Sequence, residues 1–381
     1  MTDRPLVVLG ATGSIGRQTL EVSDQLGIGV DVLAARRPRP ELAEMASRYP
    51  ESSLVVTGGS SEERRWLAEA VPNTIEWGSE ALVAAAARPG RTVVNGLVGA
   101  AGLAPTMAAL EAGNRLALAN KESLVAAGPL VMEAATRAGA QLIPVDSEHS
   151  ALFQLVGASD PREIRSLVLT ASGGPFRGLA RPALEEVGPD AALAHPTWSM
   201  GRRISVDSAT LANKGLEVIE AHVLFGVSYD DIEVVVHPQS LVHSLVGLTD
   251  GSLLAHLGAT DMRIPIAYAL SYPNRVESGI EFGLPGLTLQ FEPVDTETFR
   301  ALDLAYRAGR EGGVAPCVFN AADEIAVQAF LDGRLGFLGI AEVIERTLDA
   351  VLPDPIESVA HVLEVDRQAR EVASAMISGT C

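Results

Sequence analysis

Cysteine is almost missing from this chain of 381 residues, which holds only Cys317 and Cys381. Two thiols, one of them the last residue, make neither a disulfide framework nor a metal-ligand spacing, and this fits a reducing, cytoplasmic setting. Positive charge is short as well: lysine and arginine total 29 against 48 acidic residues, a formal net charge of −19. That balance argues against non-specific binding to nucleic acid or to an anionic membrane. An anionic substrate would need a local cluster of cations or backbone amides to overcome the field. No apolar run of about 18 residues is free of charges and helix breakers, so no membrane span is expected. A strand from Leu6 leaves no room for a signal peptide, and no fixed-period repeat is found. What remains, 47% hydrophobic and 20% charged, is the composition of a globular protein long enough for two or three domains.

Leu6 to Leu9 reads as a buried strand, followed by Gly10-Ala-Thr-Gly13-Ser-Ile-Gly16 and an amphipathic helix carrying Ile15, Leu20 and Val22. Strand, glycine turn and helix are the setting in which a dinucleotide pyrophosphate rests on a helix N-terminus. The spacing is G-x-x-G-x-x-G rather than G-x-G-x-x-G, and a simple tight turn is the alternative. The next strand, about Val30 to Ala34, runs into Ala35-Arg36-Arg37. Arginines where an NAD enzyme often has an acidic residue favour a 2′-phosphate, hence NADPH over NADH. The alternative is a solvated basic corner. Ser53–Val56, Thr92–Asn95 and Leu116–Ala119 read as further strands, with helices at Glu62–Ala70 and Pro105–Ala112 between them. This alternation predicts a doubly wound parallel sheet. Asn120-Lys121-Glu122 then falls where a strand runs out, in the crevice where such sheets bind ligands, or else simply caps the next helix.

Leu142–Val145 leads into Asp146-Ser147-Glu148-His149. If the chain stays extended, Asp146 and Glu148 point the same way and His149 faces away as a packed or capping residue. Two carboxylates held together call for a cation, and hard oxygen donors suggest Mg²⁺ or Mn²⁺. An acidic helix cap is the alternative. After a strand at Leu167–Thr170, Ser172-Gly173-Gly174 offers amides and a hydroxyl to a phosphate. His195 to Arg203 reads as a lid, with Pro196 and Gly201 bracketing Trp198 and Met200. A helix is expected from about Ala209, with Ser208 near its start. Asn213, Lys214 and Glu217 share one of its faces, and Leu216, Ile219 and Val223 share a core stripe. An amide, a cation and a carboxylate together suit a phosphate and a metal, whereas a surface Lys214–Glu217 pair would mean little.

Ile232–His237, Leu241–Leu248 and Ser252–Leu257 read as strands of an antiparallel or mixed sheet, with Asp250-Gly251 at a hairpin turn. His237, His243 and His256 lie on them and read as structural. A Gly- and Pro-rich connector follows. Beyond it, Glu297–Ala308, Asn320–Leu331, Gly339–Val351 and Ser358–Ile377 are helical by period.

Gly10–Gly16, Asn120-Lys-Glu, Asp146-Ser-Glu, Ser172-Gly-Gly and His195–Glu217, in this order, resemble the 1-deoxy-D-xylulose 5-phosphate reductoisomerase family of non-mevalonate isoprenoid biosynthesis. The resemblance runs over essentially the full length. It implies an α/β chain with a Rossmann-type NADPH domain over 1–145 and an α+β catalytic, dimer-forming domain over 146–275. A connector over 276–296 and a C-terminal helical bundle over 297–381 follow. It implies that Thr12, Gly13, Ser14 and Ile15 hold the cofactor pyrophosphate and that Ala35, Arg36 and Arg37 meet its 2′-phosphate. Relatives often carry a Gly-Lys-Asn-like run there, so the positive charge is kept in altered geometry. Asn120, Glu122 and Gly201 are implied to contact NADPH, and Asp146, Glu148 and Glu217 to bind Mg²⁺ or Mn²⁺, with Co²⁺ as a substitute. Lys121, Ser147, Glu148 and His195 would meet the substrate, and Ser172, Ser208, Asn213 and Lys214 its phosphate, with Glu217 beside them. Lys121, Glu148 and His195 would be catalytic. The implied reaction rearranges the carbon skeleton, by fragmentation and re-addition or by a 1,2-shift, and reduces the resulting aldehyde with NADPH. A plain NADP-dependent dehydrogenase and a non-catalytic NADPH-sensing module are the rival readings.

Overall fold

In a computed structural model, residues 4–198 and 200–379 are described. Ser199 and Cys381 lie outside them. The chain forms two compact units: residues up to 123 with 131–150 and 261–280, and residues 124–130, 151–260 and 281 onward.

The first unit is built on seven strands: β1 (Leu6–Leu9), β2 (Val30–Ala35), β3 (Ser53–Val56), β4 (Ile75–Trp77), β5 (Thr92–Asn95), β6 (Arg115–Leu118) and β7 (Gln141–Pro144). Their order is β4-β3-β2-β1-β5-β6-β7, and each neighbouring pair is parallel. β1, β5 and β6 are buried along their whole length, as a sheet covered by helices on both faces requires. Because every strand runs the same way, Gly10, Arg36, Gly96, Asn120 and Asp146 all emerge at one edge. The order reverses between β1 and β5, which opens the crevice used by ligands of doubly wound sheets. This is the expected Rossmann-type sheet, with β4 and the helices Pro40–Arg48 and Ser79–Ala86 added to the sequence reading.

The second unit carries β8 (Ile164–Ala171), β9 (Ile232–Val236), β10 (Val242–Leu248) and β11 (Leu253–Leu257), ordered β11-β10-β8-β9. β8 and β9 are parallel, and the other pairs antiparallel, so the sheet is mixed. The C-terminal helices Ala301–Glu311, Ala315–Leu331, Gly339–Ala350 and Val359–Ser378 belong to this unit. The reason lies in one close packing: a Cβ on Gly215 would sit 2.5 Å from Ala305 Cβ, so the helix Ala212–Phe225 lies directly on the first of the four. The helix Arg263–Ser271 is part of the first unit instead. It packs on the helix Ser14–Leu26, and Arg115 donates to its Leu270 carbonyl at 3.3 Å. The units therefore differ from the divisions drawn at residues 146, 276 and 297. No helix among the described residues is long and apolar enough to cross a membrane.

Candidate functional site

In the first unit the glycine turn after β1 is defined by close backbone contacts. Gly10 adopts φ +85°, and a Cβ there would lie 2.8 Å from the Gly96 carbonyl oxygen. A Cβ on Gly16 would lie 2.4 Å from the Gly10 oxygen. These two positions accept only glycine. Between them Gly13 and Ser14 are exposed, and Thr12 and Ile15 partly so. Gly13 is the N-cap of the helix Ser14–Leu26 and brings no side-chain acceptor to the first-turn amides. The positive end of that helix therefore faces outward, suited to an anion.

Ala35 ends β2 buried, and Arg36 and Arg37 follow it exposed, as does Arg39. Arg39, which the sequence reading passed over, adds a third guanidinium to this corner. Glu63, in a capping box with Ser60, is held below its usual range by the Ser60 backbone N–H first and by Arg37 and Arg39 later.

Asn120 is fully buried. Its amide donates to the carbonyls of Leu97 and Gly99, both at 3.0 Å, and to Glu122 at 2.8 Å. Glu122 in turn accepts from the Gly99 amide at 2.7 Å. Both side chains shape the 97–102 loop at the switch point. Beside them Lys121, 6% exposed, places its Nζ 2.6 Å from Asp146 Oδ2.

The Asp146 segment corrects an expectation. The chain does not stay extended after β7: the helix Ser147–Gly157 begins at once. Asp146 accepts from the Glu148 amide at 3.2 Å, and its own carbonyl accepts from Ser150 at 2.8 Å. One helical turn brings His149 back, so that its Nδ1 lies 3.1 Å from Asp146 Oδ1. His149 is fully buried, packed as expected but against Asp146 rather than away from it. Ser147 Oγ donates to Glu148 at 2.8 Å. Burial by itself would raise the Asp146 carboxyl, but the Lys121 ammonium and the hydrogen bonds from His149 and Lys121 outweigh it and hold it well below its usual range.

In the second unit β8 is followed by Ser172-Gly173-Gly174, whose glycines adopt φ +84° and +67°. A Cβ on Gly174 would lie 2.9 Å from the Ser208 carbonyl oxygen, so this turn packs on the backbone that carries Ser208. Ser172 Oγ accepts from the Gly174 amide at 3.2 Å and lies 2.9 Å from His195 Nε2. His195 Nδ1 accepts from the amides of Thr197 (3.2 Å) and Trp198 (3.0 Å). The imidazole is thus assigned neutral, with its proton on Nε2 donated to Ser172. Burial pushes its pKa down, in agreement. Trp198 is partly buried, its ring tilted at 55° to His243 with centroids 6.5 Å apart.

The expected single helix from Ala209 is two helices, Arg202–Thr210 and Ala212–Phe225. Leu211, at φ 63° and ψ 11°, breaks the chain between them. Ser208 therefore lies in the last turn of the first helix, not near a helix start. Asn213 and Lys214 open the second helix, and both side chains hydrogen-bond Glu217. Lys214 is 5% exposed and Glu217 1%, so the reading as a solvated surface pair fails. Leu216 and Ile219 are buried as expected. His237 and His243 are buried too. His237 Nδ1 meets the Gln290 carbonyl at 2.7 Å, and burial, with His256 nearby, pushes His243 down to about 4.

The chain has 29 basic residues, yet only Lys121 and Lys214 are lysine. Both are buried against a carboxylate. A glycine cradle at a helix N-terminus with a basic corner beside it, together with phosphate-type turns and buried lysine–carboxylate pairs, defines a nucleotide-dependent α/β oxidoreductase acting on an anionic substrate.

Comparison with known proteins narrows this class. Residues 6–128 match the family described as 1-deoxy-D-xylulose 5-phosphate reductoisomerase, 142–225 its C-terminal domain, and 257–372 the DXP reductoisomerase C-terminal domain. The 1-deoxy-D-xylulose 5-phosphate reductoisomerase of Desulforamulus reducens is 49% identical over 98% of this chain and 99% of its own. That of Cupriavidus metallidurans is 47% identical over 98% of both. The enzyme from Zymomonas mobilis, solved with NADPH, superposes with a TM-score of 0.91 at 42% identity, covering 98% of this chain and 99% of that one. A DOX-P reductoisomerase solved with NADPH, fosmidomycin and magnesium gives 0.91 at 38% identity, covering 98% of each. The chain belongs to the 1-deoxy-D-xylulose 5-phosphate reductoisomerase family.

Proposed function

We infer that this chain converts 1-deoxy-D-xylulose 5-phosphate to 2-C-methyl-D-erythritol 4-phosphate, using NADPH and a divalent metal ion. The observation that carries the reading is the Asn213–Lys214–Glu217 cluster, with its lysine and carboxylate buried, in a chain whose family match is nearly full length. A plain dehydrogenase or a sensor has no use for that cluster alongside Asp146 and Glu148.

The donor chemistry fits a hard cation. Asp146, Glu148 and Glu217 offer carboxylate oxygens, and Asp146 is held ionised by Lys121. Glu217 Oε1 accepts from Asn213 and Oε2 from Lys214, which orients an oxygen donor group of the kind hard cations take. These three residues hold Mg²⁺ or Mn²⁺, with Co²⁺ a workable substitute. The bound ion would supply Lewis acidity toward the substrate's ketone and neighbouring hydroxyl oxygens.

The glycine cradle fits a pyrophosphate. Thr12, Gly13, Ser14 and Ile15 hold it, and Ala35, Arg36 and Arg37, joined by Arg39, hold the 2′-phosphate. Asn120 and Glu122 act by fixing the 97–102 loop, and Gly201 approaches the cofactor from the lid. The bound nucleotide would supply the reducing equivalent.

Ser172, Ser208, Asn213 and Lys214 bind the substrate phosphate, far from the reacting carbons, and its binding energy drives closure and orientation. Ser147 and Glu148 meet the substrate's oxygens. His195 donates from Nε2 into the site while its Nδ1 organises the start of the lid. Trp198 and Met200 close over the substrate and exclude water. Lys121 and Glu148 move protons.

The active form is a homodimer of cytoplasmic location. Its support is the edge strand β11, where Leu253 is 61% exposed, and the 281–291 segment, where Leu284 is 62% and Phe291 47% exposed. An apolar open edge is ordinarily covered. Sedimentation at micromolar concentration should give twice the chain mass, and a monomer would remove this part of the reading. For the reaction, NADPH absorbance is followed with the sugar phosphate, with Mg²⁺ or Mn²⁺ and then with chelator. Metal-dependent oxidation yielding a branched polyol phosphate is expected. Tight NADPH binding with no oxidation would refute the assignment.

A further inference from the structure

The helix Arg202–Thr210 begins against an electrostatic rule. Two arginines occupy its first two positions and no acidic residue lies in its first turn, although the positive end of a helix disfavours cations. Arg202 is exposed and solvent screens it. Arg203 is not: its side chain is 19% exposed. Its guanidinium lies 3.4 Å from Asp207 one turn on, 3.6 Å from Asp323 and 3.2 Å from Glu324. It also reaches the Asn320 amide oxygen at 3.4 Å. Asp207 is 5% exposed and Asp323 fully buried. Asn320, Asp323 and Glu324 all stand on the helix Ala315–Leu331, more than a hundred residues away in sequence. Glu324 is tied further to Arg370, which pairs with Asp366 on the helix Val359–Ser378.

We infer that Arg203 is a positioning residue: through Asp323 and Glu324 it fixes the exit of the 195–201 lid to the C-terminal helices. These acidic partners compensate the locally misplaced cation, and a local rule broken with a specific compensation marks a functional constraint. The anchor lies two residues beyond Gly201 and so holds the C-terminal end of the lid. The same short helix ends in Ser208, so one fork sets both the lid's exit and a phosphate-binding hydroxyl. The C-terminal helices, which carry no motif of their own, thereby enter the site's geometry. This inference rests on the reading of 195–201 as a substrate-closing lid.

The test uses the full-length enzyme and two variants, Asp323→Asn and Arg203→Lys. The first keeps the volume and hydrogen-bonding capacity of the partner. The second keeps one charge but loses the planar fork. Trypsin cutting after Arg202, followed by mass spectrometry of the released fragments, reads opening at the lid exit. In both variants cutting should speed up on the order of tenfold, and kcat/KM for the sugar phosphate should fall on the order of tenfold, as for displaced hinge and positioning residues. Affinity for NADPH alone should be unchanged. A fall in melting temperature with cutting and kcat/KM unmoved would reduce the network to fold stability and overturn the inference. Wild-type behaviour of both variants would overturn it as well. If the wild-type enzyme itself failed to turn over, the functional reading would fall, while the proteolysis would still decide whether the anchor exists.

Discussion

The proposed cofactor site of the first unit and the proposed phosphate site of the second are made differently. The first is mostly backbone: Gly10 and Gly16 are required because neighbouring carbonyl oxygens occupy the space of a Cβ, and a helix end faces outward. The second is mostly side chain, with Lys214 and Glu217 paired out of water. A site made of backbone tolerates loss of any one side chain and fails when atoms are added. A site made of buried charges fails when one partner is removed. Each should therefore break under the substitution that the other tolerates.

The largest effect is expected from deleting one buried charge. Lys214→Met leaves Glu217 buried without its cation, at a cost of about 3–5 kcal/mol. Urea unfolding should show this loss, turnover should vanish, and NADPH affinity of the folded fraction should survive. Loss of NADPH binding together with turnover would erase the distinction between the two sites.

Acid should act on the second unit next. His243 is held neutral, its pKa pushed by burial and His256 to about 4, against an ordinary value of about 6.5. With the folded value depressed, the unfolded chain takes up the proton first. Stability from this group is therefore complete above about pH 6.5 and is lost as pH falls toward about 4, a total on the order of 3 kcal/mol. His195, also lowered by burial, contributes with the same sign just below about pH 6.5. His243→Gln should flatten this slope in urea titrations at several pH values. An unchanged slope would remove His243 as its cause.

Glu217→Gln keeps an oxygen for Lys214 but loses a charged metal donor. Turnover at limiting metal should fall at least about 100-fold, beyond what loss of a ligand's supporting contacts costs, and excess Mn²⁺ should restore part of it. Near-normal activity at limiting metal would refute the ligand assignment. Gly16→Ala probes the first unit: a Cβ 2.4 Å from a carbonyl oxygen should cost about 1–3 kcal/mol and weaken NADPH binding. Metal and sugar-phosphate binding should remain in place. Calorimetry of each ligand separates these outcomes.

This contrast also explains what the sequence made legible. Backbone sites announce themselves through glycine, so the turn at Gly10–Gly16, the strands around it and the basic corner after β2 could be read directly. The carboxylates and lysines could be named, but not their surroundings. Whether the Asp146 segment continues the strand-like Leu142–Val145 or caps a helix is left open by the sequence, since an aspartate at a strand end does either as readily. The break at Leu211 carries no compositional mark, since leucine rarely adopts positive φ. Burial of the Lys214–Glu217 pair is a tertiary fact that no local pattern encodes. Arg203 read as part of a lid. Its partners Asp323 and Glu324, far along the chain, were invisible for the same reason.

The smallest effect on stability is expected at Trp198, where the sequence left a lid residue and a core residue as alternatives. The ring is partly buried, and its recorded aromatic neighbour, His243, is tilted with centroids 6.5 Å apart, too loose for a well-stacked pair. Its own amide is held by His195 Nδ1 at 3.0 Å, a backbone bond that an alanine keeps. Trp198→Ala should therefore lower stability by less than about 1 kcal/mol, below the range for a core tryptophan. The KM for the sugar phosphate should still rise, because the apolar group that closes over it is gone. If melting falls by the several degrees typical of a core deletion while KM stays put, the ring is part of the core. The lid would then consist of His195 and Met200 alone, and the substrate would owe its shielding from water to fewer side chains.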